Sequence, residues 1–258
     1  MDYFIWDFDP VLASFKHLRI HWYGAMFALA LLSNYLLMHW IYGREQGSTE
    51  DVDRLLWYCM GGSVIGARLA HIIFYNPHYY LAQPAKIIAI WEGGLASHGG
   101  VIGVLIALYI YQHKASFNYW WILDRAAIAA SLSGSLVRTG NFLNSEIAGI
   151  PTQVPWAIIF SRIDMIPRHP VQLYEAISYA AISVFLFYRY KTSQTWDFHG
   201  QLFAWFLILI FSARFIMEFY KVELASYSHD LWLSTGQMLS IPFMLIGTFI
   251  LYRAQRRS

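Results

Sequence analysis

The stretch IHWYGAMFALALLSNYLLMHWIYG (residues 20–43) contains no Lys, Arg, Asp or Glu. It is longer than the roughly 20 residues a helix needs to cross a hydrocarbon core of about 30 Å. Two further windows, 93–113 and 231–252, are equally free of these ions. Four more are apolar but carry isolated charges at or inside their edges: 55–75 with Arg68, 119–140 with Arg125 and Arg138, 171–190 with Glu175, and 200–220 with Arg214 and Glu218. Together they predict an all-α integral membrane protein of about seven transmembrane helices. The composition agrees, with 57% hydrophobic and only 13% charged residues against about 25% charged in soluble domains.

Between the windows the chain offers few breaks. The connection 141–170, an extracytoplasmic loop region between spans four and five, holds Pro151, Pro155, Pro167 and Pro170. It is predicted to be mainly loop, with short extended pieces around VPWAIIF (154–160). The stretch 76–92 reads as an interfacial segment with a short amphipathic helix. No repeat, low-complexity run or linker divides the chain, so residues 1–258 are expected to form a single polytopic membrane domain. The opening MDYFIWDFDP carries acids and aromatics in place of a basic n-region, which argues against a cleaved signal peptide.

Charge and cysteine use exclude other classes. A net charge of +2 with scattered lysines and arginines does not describe a nucleic-acid binder. Cys59 is the single cysteine, in an apolar run, and reads as a small buried hydrophobe. His17 and His21 are spaced i,i+4 but lack a third ligand, so no metal is expected. Basic residues in loops one, three and five and in the tail (Arg44, Arg54, Lys114, Arg189, Lys191, Arg253, Arg256, Arg257) place the C-terminus in the cytoplasm.

With helices crossing in alternate directions, the start of an odd span lies at the depth of the end of an even one. Tyr23, His98 and Glu175 fall near starts of odd spans, and Arg68, Arg138, Arg214 and Glu218 late in even ones. All seven share one side, the extracytoplasmic one by the orientation above. An ionisable group inside a span costs about 2.5–3.5 kcal/mol on insertion scales, so such groups gather around a polar site or one another. Interhelical ion pairs or snorkelling explain any one of them equally well; Arg214 and Glu218, at i,i+4, share a helical face.

Local sequence adds chemistry. In GGLASHGGVIG (93–103) the glycines let backbone approach a ligand or a neighbouring helix closely, and His98 serves as a base or as an interhelical hydrogen-bonder. RTGNFLNSEIAG (138–149) offers a cation, two carboxamides and a carboxylate at a helix end that turns at Gly149. Such a set binds the oxygens of a phosphate and a polyol, or simply caps a helix. RHPVQLYE (168–175) enters span five through His-Pro, with Gln172 and Glu175 at i,i+3; it also reads as a plain helix start. An anion transporter would need polar residues at both depths, and neither H-E-x-x-H nor G-x-S-x-G is present for a hydrolase.

At these residues the sequence resembles the prolipoprotein diacylglyceryl transferase family. RTGNFLNSEIAG is similar to its signature R-x-G-N-F-x-N-x-E-x-x-G, and HWYG (21–24), GGLASHGG (93–100), RHPVQLYE (168–175) and RFIMEF (214–219) follow in family order. The resemblance implies a bacterial inner-membrane enzyme. It would transfer the diacylglyceryl group of phosphatidylglycerol to the lipobox cysteine in the signal peptide region of a preprolipoprotein, releasing glycerol 1-phosphate, with no cofactor. For that reaction His98, Arg138 and Arg214 are expected to be catalytic, the arginines gripping the phosphate and His98, a substrate phosphate or water taking the thiol proton. The resemblance implies Arg138, Tyr23, Gly99, Gly140, Asn141, Asn144, Glu146, Gly149 and Glu218 as substrate-binding, with Glu218 holding Arg214. Two positions depart from the family pattern: Val137 replaces a frequent glycine, and Ile210 a frequent tyrosine, so no proton-transfer role passes to residue 210.

Overall fold

The computed structural model describes residues 3–16, 18–45, 47–115, 117–193, 199–222 and 233–256; His17, Arg257 and residues 231 and 232 lie outside them. Among the described residues the helices are α1 (Trp22–Arg44), α2 (Thr49–Phe74), α3 (Pro77–Ala82), α4 (Ser97–Tyr111), α5 (Tyr119–Leu143), α6 (Val171–Thr192), α7 (Gln201–Met217) and α8 (Thr235–Gln255). Each of the seven apolar windows is helical over most of its length. Four helical segments are long and apolar enough to cross a membrane: Trp22–Arg44, Val171–Thr192, Gln201–Tyr220 and Thr235–Gln255. Helices α2 and α5 have the length, at 26 and 25 residues, but carry several ions. Helix α4 has only 15 residues.

The all-α expectation omits five short strands. Strands β1 (Phe4–Trp6), β4 (Ile158–Phe160) and β5 (Pro167–Arg168) form one small sheet, β1 parallel and β5 antiparallel to β4. Strand β4 falls inside the VPWAIIF piece expected to be extended. Strands β2 (Val11–Phe15) and β3 (Leu18–His21) form a hairpin, and α1 starts directly after it, with Trp22 N–H donating to the Pro10 carbonyl at 2.9 Å.

The chain divides into two compact units, residues 1–37 with 124–258 and residues 38–123, the division falling inside α1 and α5. In the second unit α2 and α4 meet along glycine. A Cβ on Gly62 would lie 2.6 Å from the Gly103 carbonyl oxygen, and one on Gly66 would lie 2.7 Å from Gly103 Cα. Such close backbone contact lets dispersion act over a large shared surface of the two helices. Residues 76–92 carry α3 and two 3-10 turns, Pro84–Ile87 and Ile90–Glu92, in keeping with the short helix expected there.

In the first unit α7 packs on α8, with Phe211 stacked on Phe243 at 4.3 Å. The α7 N-terminus begins at Gly200, which has no side chain to cap it. The buried carboxylate of Asp124, on α5, supplies the cap, accepting from Gly200 N–H at 2.8 Å and Phe203 N–H at 2.9 Å.

Candidate functional site

The signature run ends α5. Phe142 anchors it, packing on Trp6 of β1 at 4.5 Å and on Phe160 of β4 at 5.8 Å. Beyond Leu143 the chain turns sharply, with Ser145 and Ile147 in the left-handed region (φ 55° and 58°). For a β-branched residue this conformation is strained, and such strain collects at functional sites. Its effect here is local and visible. Glu146, between the two, accepts from Asn141 Nδ2 at 3.0 Å and from Asn144 Nδ2 at 3.1 Å, while its main-chain carbonyl receives Gln172 Nε2 at 2.6 Å.

One turn earlier, Arg138 Nε pairs with Glu175 Oε2 of α6 at 2.9 Å. Glu175, only 1% exposed, also accepts Lys221 Nζ at 2.7 Å, and Lys221 reaches Glu218 Oε2 at 3.5 Å. Arg138 of α5 and Arg214 of α7 both lie within electrostatic reach of Tyr179 on α6. Arg138 Nη1 is 3.4 Å from Asn141 Oδ1, a long contact. Tyr23 is adjacent: a Cβ on Gly140 would lie 3.2 Å from the Tyr23 ring and from Met26 Cβ, so glycine at 140 admits α1 close to α5.

The sequence expectations meet this geometry unevenly. Arg138, Asn141, Asn144 and Glu146 form one connected network, and Tyr23 borders it at Gly140. Gly149 is fixed by backbone: a Cβ there would lie 2.6 Å from the carbonyl oxygens of both His169 and Tyr220, and its own N–H donates to His169 O at 3.0 Å. Among the described residues the ion-pair partner of Glu218 is Lys221, not Arg214, and its carboxylate lies against Gly236 in the first turn of α8. Gly99 is buried in the α2–α4 contact against Gly66 and Ala70. His98, exposed, is the second residue of α4 and belongs to the second unit, whereas Arg138 and Arg214 belong to the first.

Sequence reasoning missed Lys221 and gave no role to Glu175 or Gln172. A signal for the lysine existed, since it follows Glu218 at i+3. The loop 144–170 is braced by Arg168, whose Nη2 pairs with Asp164 at 2.5 Å and whose Nη1 donates to the Gly149 carbonyl at 3.1 Å; the guanidinium holds the Asp164 carboxyl below the usual carboxylate range.

Three cations, Arg138, Arg214 and Lys221, thus stand around the buried Glu175 and the half-buried Glu218 at the ends of apolar helices. Glu175 engages Arg138 through Nε and leaves its terminal nitrogens to other acceptors. Among the described residues, Asn144 Oδ1 and Gln172 Oε1 are buried without a donor, and no group of His, Cys, Asp and Glu could hold a metal ion. The fold and the cluster define a multi-pass helical membrane protein with cations gathered around a buried carboxylate. The family model described as prolipoprotein diacylglyceryl transferase matches residues 10–253, and the chain belongs to that family. Proteins named phosphatidylglycerol–prolipoprotein diacylglyceryl transferase from Chloroherpeton thalassium and Tolumonas auensis are 46% and 49% identical to it. The matches cover 99% and 95% of this chain and 96% and 95% of theirs. One of the same name from Porphyromonas gingivalis is 39% identical over 96% of this chain and 94% of its own. The motif resemblance is therefore borne out over nearly the whole length.

Proposed function

We propose that this protein transfers the diacylglyceryl group of phosphatidylglycerol to the lipobox cysteine thiol of a preprolipoprotein. The thiolate sulfur attacks the glycerol carbon that bears the phosphate, a C–S bond forms as the C–O bond breaks, and the electron pair leaves on glycerol 1-phosphate. The observation that carries the reading is the Arg138–Glu175–Lys221 cluster, with Arg214 beside it, in a chain of this family. Guanidinium groups stay charged at any relevant pH and grip phosphate oxygens bidentately, most strongly where water is excluded. The donor-free acceptors Asn144 Oδ1 and Gln172 Oε1 suit the hydroxyls of a glycerol headgroup. Tyr23, Asn141 and Glu146 orient it, Gly99, Gly140 and Gly149 let backbone approach, and Glu218 orders the cations. His98 accepts the thiol proton.

In this reading α1, α2 and α4 to α8 are seven spans of one membrane domain, since the boundary between the compact units falls within two continuous helices. The protein lies in the bacterial inner membrane. The basic loops and tail put the C-terminus in the cytoplasm and the cluster in the extracytoplasmic half. The test is release of glycerol 1-phosphate from head-labelled phosphatidylglycerol in vesicles containing the protein. Release is expected only with a lipobox peptide, in step with thioether formation, and not with its Cys-to-Ser version. Release without a thiol acceptor would refute the reaction.

A further inference from the structure

Arg68, late in α2, is 5% exposed, and a guanidinium at such a place must find five acceptors or leave donors unsatisfied. It finds five main-chain carbonyls. Nε donates to Ile87 at 2.9 Å, Nη1 to Gly93 at 2.5 Å and Gly94 at 3.1 Å, and Nη2 to Lys86 at 2.5 Å and Ala89 at 3.2 Å. The Tyr80 ring covers the group, with Cζ 5.0 Å from its centroid. All five N–H groups are thereby used, so Arg68 has none left for a phosphate.

The held segment leads into α4. Gly93 and Gly94 have φ of 86° and 76°, and a Cβ on Gly94 would lie 2.7 Å from the His71 ring and 2.9 Å from Arg68 Nη1. Backbone conformation therefore disfavours a side chain at both glycines, and space excludes one at Gly94. Two residues later Ala96 N–H donates to the Ala67 carbonyl at 3.0 Å. Ala96 is the N-cap of α4 and has no side chain able to cap it, so the first turn depends on what precedes it. His98 stands in that turn.

We propose that Arg68 is a positioning residue: by gathering the carbonyls of residues 86–94 it fixes the entry into α4 and, through it, the His98 imidazole. The proposal rests on the reading of His98 as the group that takes the thiol proton. Lysine cannot replace this arginine, because three donors on a point charge cannot reproduce a planar fork of five.

The experiment compares the full-length protein with Arg68→Lys, Gly94→Ala and the double variant in phosphatidylglycerol vesicles. It reads amide hydrogen exchange over residues 93–100 together with kcat and KM for phosphatidylglycerol. Retained protection in α6 to α8 establishes that each variant is folded, and Gly94→Ala disturbs the same turn if Arg68→Lys does not fold. Exchange over 93–100 is expected to rise, and kcat to fall by roughly 10²-fold, the scale of a misplacement near 1 Å. KM should stay within about twofold, as no binding contact common to ground and transition states is lost. The double variant should be no worse than the more impaired single one, because both act on one turn. Unchanged exchange, a raised KM with kcat retained, or multiplying losses would overturn the proposal. Raised exchange with normal kcat would overturn the positioning of His98. A wild-type protein that transferred nothing would instead defeat the reading of function, while its exchange data still decided whether Arg68 anchors the segment.

Discussion

Glu175 joins two cations in the first unit. Its two oxygens hold cations from two directions, Arg138 Nε at 2.9 Å and Lys221 Nζ at 2.7 Å, while the carboxylate itself is almost wholly buried. Breaking a buried ion pair by removing one partner costs about 3–5 kcal/mol, because the charge left behind has lost its compensation. The substitution Glu175→Gln keeps the shape and removes the charge. Since Arg138 and Lys221 are 17% and 12% exposed, solvent relieves part of the cost, and about 3 kcal/mol is expected. A lower melting temperature of the purified protein, with transfer activity reduced beyond the loss of folded material, is the expected result; unchanged melting would contradict this account of Glu175. In the sequence this residue was visible as an expensive ion at the right depth, but its partners lie 37 and 46 positions away. No spacing rule links Glu175 to Arg138. By contrast, the Asn141, Asn144 and Glu146 network was legible, because its members lie within one helical end and meet through local geometry.

At the scale of elements, the helices were legible wherever lipid is the solvent, since an apolar window of spanning length has few other structures open to it. Of the short strands, β4 was expected as an extended piece within VPWAIIF, and the others were not. Strands β1, β4 and β5 have two or three residues each, too few to show alternation, and β1 meets β4 across more than 150 residues. The glycines of 93–103 were read as admitting either a ligand or a helix, and for Gly99 and Gly103 the neighbour is α2. Two adjacent glycines of α2 test this contact. A Cβ on Gly62 would meet the Gly103 carbonyl and Ala107 Cβ at 2.6 Å, whereas one on Gly61 meets nothing within 4 Å. Gly62→Ala is expected to destabilise by about 1–3 kcal/mol through overpacking. Gly61→Ala is expected to stabilise by up to about 1 kcal/mol through helix propensity. Thermal unfolding of the two variants in detergent checks the pair; equal shifts would show that the α2–α4 contact does not require glycine.

At the scale of the whole molecule, an apolar scaffold carries a small set of charges. The helices bring Arg138, Arg214 and Lys221 together with Glu175 in one unit, and the second unit fixes the start of α4 and His98 through Arg68 and the glycine contact. Arg138, Arg214 and Glu175 stood out in the sequence as costly ions, because the cost of an ion in lipid is a local property. Arg138 meets Glu175 through tertiary packing, whereas Glu218 takes the local i+3 partner Lys221 in place of the expected Arg214. The central claim is that arginine forks bind the phosphate as it leaves. It is tested most directly by thioether formation on a lipobox peptide in phosphatidylglycerol vesicles containing the wild-type protein, Arg138→Lys or Arg214→Lys. Each lysine variant is predicted to lose roughly 10²-fold in kcat, the scale of removing one preorganised donor to a developing anion. Near wild-type rates in folded Arg138→Lys and Arg214→Lys proteins would contradict the claim.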